Sequence, residues 1–361
     1  MNPAVRCLSG VRRMPLAFDN GQVHGDERRY MAAAIEAHDL RRVFGDNEAV
    51  AGVDLAVKSG EIYGFLGPNG AGKSTMVKML CTLLSPTSGR ASVGGYDVAT
   101  QAGDIRLRIG VALQDSSIDG KQSGREMLHL QGELYGLSKP DIAQRMDDVI
   151  GLVDIGAAID DRVESYSGGM KRRLDLAMAL IHKPQILFLD EPTTGLDPAS
   201  RTAVWNEVRK LNSEEGMTIF LTTQYLEEAD ELADRVGIIA SGKLKVEGTP
   251  VALKQAIGKD LIVAEVDGDI AAASHQLRGI VGVDDLDVRK NELTVSTANG
   301  AAVIADVAVA LKSSGATVRS LTLRTPTLDD VFLQVTGAHL AESHAVAADE
   351  SANAEQKGAT R

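Results

Sequence analysis

The sequence predicts an α/β fold with a helical insertion, followed by a small α+β domain. Three observations carry this. Short all-apolar runs, Ile62–Leu66 and Ile186–Leu189, read as strands buried on both faces. The first leads at once into a glycine-rich loop and a helix-like run, Lys73–Leu84. From Leu261 onward the pattern spells strand, helix, strand, strand, helix, strand, the order of a ferredoxin-like domain.

Taken in order, residues 1–32 read as a flexible extension. They hold Arg6, Arg12, Arg13, Arg28 and Arg29 but no apolar run suited to a secretory signal, and Met31 is a candidate start. Ile35–Leu40 and Val50–Val57 alternate like strands, before a turn at Ser59-Gly60-Glu61. Arg125–Leu137 and Asp141–Ile155 are amphipathic, with no strand between them. The α/β alternation resumes at Ile186, with helix Thr202–Leu211, strand Thr218–Thr222, helix Leu226–Ala233 and strand Val236–Ile239. Gly248-Thr249-Pro250 punctuates the chain. Beyond it come strand Leu261–Val266, helix Ala271–Leu277 and the strands Asp285–Val288 and Glu292–Ser296 around Lys290-Asn291. Helix Ala302–Lys312, strand Val318–Leu323 and helix Leu328–Val335 follow, the last with Thr327 as its N-cap. The domains expected are therefore 33–245, with a helical part at about 115–170, and 246–337, with a disordered tail at 338–361.

Composition narrows the function. At 361 residues the chain has room for about two domains. A formal net charge of -12 argues against a protein held to nucleic acid by its overall field, and 4% aromatic residues argue against stacking platforms. No apolar run reaches the length of a membrane span. Cys7 and Cys81 are too few for a disulfide framework, and Cys81 reads as packed core. The seven histidines are scattered without metal spacing. Asp147-Asp148 and Glu227-Glu228 read as solvated faces.

The sharpest motif is Gly67-Pro68-Asn69-Gly70-Ala71-Gly72-Lys73-Ser74-Thr75, which fits G-x-x-x-x-G-K-[ST]. Glycines let backbone N–H groups converge on an anion, and the following helix N-terminus adds its dipole. Lys73 is placed to reach β- and γ-phosphates, and Ser74 to ligate Mg²⁺. The run Ile186–Leu189 delivers Asp190 and Glu191 to a strand end. Asp190 suits Mg²⁺ coordination, and Glu191 suits the general base that polarises water.

Tyr166-Ser167-Gly168-Gly169-Met170 lies just ahead of that strand and resembles the signature sequence of ATP-binding-cassette (ABC) ATPases. The resemblance covers about residues 35–245 and implies ATP hydrolysis by two cassettes paired head to tail. It implies that Ser167, Gly168 and Gly169 of one copy close over the phosphate loop of the other. It further implies that Phe44 stacks on adenine, that Gln114 senses Mg²⁺ and the attacking water, and that Asp197 in Gly195-Leu196-Asp197 contacts the partner cassette. Two positions depart from the family. The signature ends in Met170, and Gln224 stands where most members carry a histidine. Glutamine orients water but cannot become a cation, so hydrolysis is expected to persist with Glu191 carrying more of it.

With Thr222-Thr223-Gln224-Tyr225-Leu226-Glu227-Glu228-Ala229-Asp230 and Thr325-Pro326-Thr327-Leu328-Asp329-Asp330-Val331-Phe332-Leu333, the chain looks like the daunorubicin/doxorubicin-resistance group. That implies a subunit on the cytoplasmic face of the membrane that powers efflux of a drug or other hydrophobic compound through a separate permease. The alternatives are a cassette exporting lipid or polysaccharide and a weakly hydrolytic regulatory ATPase.

Overall fold

The computed structural model describes residues 6–7, 33–114, 119–153 and 155–336. Apart from Arg6–Cys7, the extension and the tail expected at the two ends lie outside the described residues. The chain divides into two compact units between Pro250 and Val251.

The first unit opens with strands β1 (Arg6–Cys7), β2 (Ala33–Phe44), β3 (Asn47–Lys58) and β4 (Ile62–Leu66). Helix α1 (Lys73–Leu80), strands β5 (Ser88–Val93) and β6 (Tyr96–Asp97), helix α2 (Ala102–Arg106) and strand β7 (Ile109–Ala112) follow. Three helices come next: α3 (Gly124–Leu134), α4 (Lys139–Val153) and α5 (Gly168–Leu180). The unit closes with β8 (Ile186–Asp190), α6 (Pro198–Glu215), β9 (Thr218–Thr223), α7 (Leu226–Leu232), β10 (Arg235–Ala240) and β11 (Lys243–Gly248).

Its main sheet runs β1-β11-β10-β4-β9-β8-β7. The five strands from β10 to β7 are parallel, so their carboxyl ends share one edge. Every residue of β4, β8 and β9 is buried, which is why these segments read as continuous, mostly apolar runs rather than alternating ones. Tyr63, Phe65 and Phe188 surround Phe220 with ring centroids 5.5–5.7 Å away. A second, antiparallel sheet has the order β3-β2-β5-β6. The helical insertion buries Met127, Leu128, Ile142, Met146 and Val149 in a core shared with Leu174 of α5. Ser123 and Glu126 close a capping box at the start of α3.

Three departures from the sequence reading have a visible cause. Helix α1 stops at Leu80, four residues before the expected Leu84. Thr82 turns to φ 60°, and the Leu83 and Leu84 amides fold back onto the Lys78 carbonyl. No glycine marks that stop, so the apolar pattern runs through it. Strand β11 was not anticipated, although Ser241 and Gly242, both at positive φ, form its hairpin turn with β10. Strand β5 was missed because it begins Ser-Gly-Arg and is exposed over that half.

The second unit contains α8 (Pro250–Ile257), β12 (Asp260–Asp267), α9 (Ile270–Arg278), β13 (Val283–Arg289), β14 (Glu292–Thr297), α10 (Gly300–Ser313), β15 (Thr317–Arg324) and α11 (Leu328–Thr336). Helix α8 is an addition to the sequence reading. The sheet order is β13-β14-β12-β15, antiparallel throughout, which is the ferredoxin-like arrangement. Alternate residues Ile262, Ala264 and Val266 face Val303, Val307 and Leu311 in one apolar core. The Thr327 hydroxyl accepts from the Asp330 amide at 3.3 Å, and the Asp330 carboxylate accepts from the Thr327 amide at 2.8 Å. The expected cap of α11 is thus formed reciprocally. No helix among the described residues is long and apolar enough to cross a membrane.

Candidate nucleotide site

The shared edge of the parallel strands gathers four loops: after β4 (the glycine-rich loop), β7 (Gln114), β8 (Glu191) and β9 (Gln224). This is where open α/β sheets place ligands. The loop after β4 passes close to other backbone. A Cβ on Gly67 would lie 2.4 Å from the Ile239 carbonyl oxygen, and one on Gly72, at φ 106°, 2.3 Å from that of Ala49. Only glycine fits either position. Asn69 and Gly70 are exposed at the loop crest, and Pro68 and Thr75 are half-buried, while Ala71 packs inside.

Lys73 begins α1 and is buried, at 4% exposure. Its ammonium donates to the carbonyls of Gly67 at 2.8 Å and Pro68 at 3.1 Å and sits 3.1 Å from Glu191 Oε1. Burial lowers its pKa, and the Glu191 carboxylate acts the other way. Ser74 Oγ donates to Asp190 Oδ1 at 3.2 Å, and the Thr222 hydroxyl donates to the same oxygen. Glu191 has a left-handed backbone, φ 49°, pinned by its amide to the Thr222 carbonyl and hydroxyl, both at 3.1 Å. Its Oε2 accepts from the Thr194 hydroxyl at 3.2 Å. Lys73, Ser74, Asp190 and Glu191 therefore meet by direct contact. Ser74 Oγ with Asp190 Oδ1 supplies hard oxygens of the kind Mg²⁺ prefers alongside substrate phosphates and water.

The other predicted residues occupy distinct places. Gln114 is exposed two residues past β7, and Gln224 is half-buried after β9. Phe44 ends β2 at 45% exposure, outside the core, with the Arg42 guanidinium 4.4 Å above its ring. Ser167 caps α5 by accepting from the Met170 amide at 3.2 Å. Ser167 and Gly168 are exposed, and Gly169 approaches Ser200 so closely that a Cβ would lie 3.1 Å from its hydroxyl. Asp197 caps α6, accepting from the amides of Ala199 and Ser200 at 3.0 Å. The Ser200 hydroxyl holds its pKa low. Cys81 is buried, as expected.

One reading is corrected. Glu227 is exposed, but Glu228 is fully buried, not part of a solvated face. Its Oε1 accepts from the Thr193 hydroxyl at 2.8 Å and from Trp205 Nε1 at 3.1 Å. Burial pushes its pKa up, opposed by hydrogen bonds from Thr223, Thr193 and Trp205. Glu228 lies next to Ala229 and four positions before Leu232, both buried, so a helical face was available as its signal.

Comparison with known proteins shows the family. Residues 50–194 match the ABC transporter family, and residues 248–336 match the family described as ATP-binding protein DrrA1-3-like, C-terminal domain. The daunorubicin resistance ATP-binding protein DrrA3 of Streptomyces coeruleorubidus is 43% identical over 84% of this chain and 96% of its own length. The chain belongs to the ABC transporter ATP-binding proteins, in the daunorubicin/doxorubicin-resistance group. The linearmycin resistance ATP-binding protein of Bacillus subtilis is 35% identical over 85% of the chain and 99% of its own length. Among solved structures, cbiO1 of Clostridium perfringens, part of the ABC transporter complex cbiONQ, superposes with TM-score 0.57 at 26% identity. It covers 62% of this chain and 93% of its own. A bacterial ABC transporter cassette of dimeric structure superposes with TM-score 0.55 at 24% identity, over 60% of this chain and 98% of its own, and shares the fold. The cassette is an ATPase, and its site binds ATP.

Proposed function

We propose that this ATPase drives export of a drug, antibiotic or other hydrophobic compound through a separate membrane permease, docked to it on the cytoplasmic face. What supports this is the relatives' role in drug resistance and the contact of Lys73 with Glu191 at 3.1 Å. A γ-phosphate entering the loop competes for Lys73 and separates the pair. Lys73 then holds the phosphate, and the freed Glu191 carboxylate accepts a proton from the attacking water. Gln224 orients that water, and Gln114 reads its presence. Amides of Asn69, Gly70, Gly72 and Thr75 surround the phosphates in a loop shaped by Gly67, Pro68 and Ala71, and Phe44 stacks on adenine. Ser74, Gln114 and Asp190 would hold Mg²⁺, which would supply charge neutralisation at the phosphates.

In this reading a second copy closes the site with Ser167, Gly168 and Gly169, and Asp197 lies at that junction. Residues 33–245 form the cassette, with 115–170 its helical subdomain, and 246–337 form an accessory domain. Closure on ATP and reopening on product release supply the two states that move the permease.

The test is Glu191→Gln. Turnover is expected to fall by about 100-fold or more while ATP binding is retained. In inverted vesicles bearing the permease, ATP-dependent uptake of a hydrophobic drug is expected to stop with it. Turnover surviving in that variant removes Glu191 as the base. Uptake persisting without turnover removes the export assignment.

A further inference from the structure

Arg172 lies within the first turns of α5, five residues after Ser167, with 13% of its side chain exposed. Its guanidinium reaches the main chain of two loops at the sheet's carboxyl edge. Nε donates to the Pro192 carbonyl at 3.0 Å and Nη2 to the Asp190 carbonyl at 3.3 Å, the two residues that flank Glu191. Nη1 donates to the Leu113 carbonyl at 2.9 Å and Nη2 to the Ala112 carbonyl at 3.5 Å, immediately ahead of Gln114. Asp175, almost one turn further along α5, accepts from Nη1 at 3.3 Å.

A buried cation is costly to desolvate, and burial lowers the pKa of this one. Filling the space alone needs no charge. What the planar five-donor fork adds is geometry, because several carbonyls from separate segments are tied to one rigid group. The segments fixed are the loop of the general base, the loop of the water sensor and the helix whose N-terminus carries the signature. We infer that Arg172 is a positioning residue that holds the Glu191 and Gln114 loops in register with the signature helix, so that hydrolysis chemistry and the partner-facing surface move together. The inference rests on the roles proposed above for Glu191, Gln114 and Ser167. It differs from them in predicting a defect in turnover with no defect in nucleotide binding, since Arg172 touches neither Lys73 nor the glycine-rich loop in any of these bonds.

Arg172→Gln and Arg172→Lys in the full chain test it. Steady-state turnover with Mg-ATP, equilibrium ATP affinity and thermal unfolding are measured for each. In Arg172→Gln, kcat is expected to fall about tenfold or more while ATP affinity stays within about twofold of the parent. Arg172→Lys keeps the charge, loses the fork and is expected to recover only part of kcat. Added to Glu191→Gln, Arg172→Gln is expected to weaken the ATP-dependent pairing of two chains seen by sedimentation. The inference is overturned if kcat stays within about twofold of the parent in both variants, or if kcat and affinity fall in parallel in both, as a general packing role requires. Should Arg172→Gln fail to fold, Arg172→Lys carries the same comparison of kcat with affinity. Glu191→Gln alone separates the two ideas. Turnover surviving there removes the base, while the coupling is still read from Arg172→Gln in the parent.

Discussion

The first unit buries charge and the second buries almost none. Lys73, Asp190, Glu191, Thr222, Thr223 and Glu228 are buried at or beyond the carboxyl ends of parallel strands, while Glu61, Glu207 and Thr218 are buried elsewhere in the unit. Among the described residues of the second unit, Thr297 is the one buried polar side chain, and the core is otherwise aliphatic. Topology accounts for the difference. Parallel strands deliver all their outgoing loops to one edge, so separate segments can pool polar groups there. In an antiparallel sheet those loops alternate between edges. The β13-β14-β12-β15 sheet therefore has no comparable meeting point, and its alternating residues are spent on packing.

That contrast can be broken by mutation. Leu293→Ala removes a fully buried side chain from the second unit's core and is expected to cost about 2–5 kcal/mol of that unit's stability. Turnover per folded molecule should not change. Urea unfolding followed beside ATPase activity checks both, and lost turnover in the still-folded variant would give the second unit a share in the chemistry. In the first unit, Glu228→Ala leaves the Thr193 hydroxyl and the Trp205 indole without their acceptor and is expected to cost about 2–4 kcal/mol. Glu228→Gln keeps an acceptor for both and is expected to cost about 1 kcal/mol or less. Equal losses in the two variants would show that the acceptor is not what matters.

The parts of the site legible in the sequence are those in which chemistry and spacing are contiguous. Gly67 to Thr75 is one local motif, and Asp190-Glu191 ends an apolar strand, so both were identified from a few adjacent letters. Direct contact of Lys73 with Glu191 follows once β4 and β8 are known to end at the same edge. Arg172 was not legible, because its partners are main-chain carbonyls up to 60 residues away, and carbonyls carry no residue identity. Glu228 was misread for a related reason. An acidic pair invites one interpretation, while α7 turns one acid to solvent and the other to Trp205. The second unit is legible at the level of topology because its strands alternate cleanly, whereas α8 begins right at the Gly-Thr-Pro punctuation, which gives no sign of a helix starting there.

The smallest expected effect concerns Asp175, a half-buried acid of the first unit that accepts from Arg172. Burial raises its pKa from 3.8 to about 6, against the pull of Arg172. A carboxyl with a raised folded-state pKa binds its proton more tightly when folded, so its contribution to stability is complete below about pH 4 and is lost as pH rises through about 6. Asp175→Asn cannot titrate. Whatever else the substitution changes, beyond the titration itself, is a constant offset. The difference in stability, variant minus parent, should therefore rise by about 1–3 kcal/mol between pH 4 and pH 7. Other acids titrate over that range, but they do so in both proteins and cancel in the difference. Urea unfolding of the pair at pH 4, 5, 6 and 7 reads it directly. A flat difference would mean that Arg172 holds Asp175 ionised in the fold.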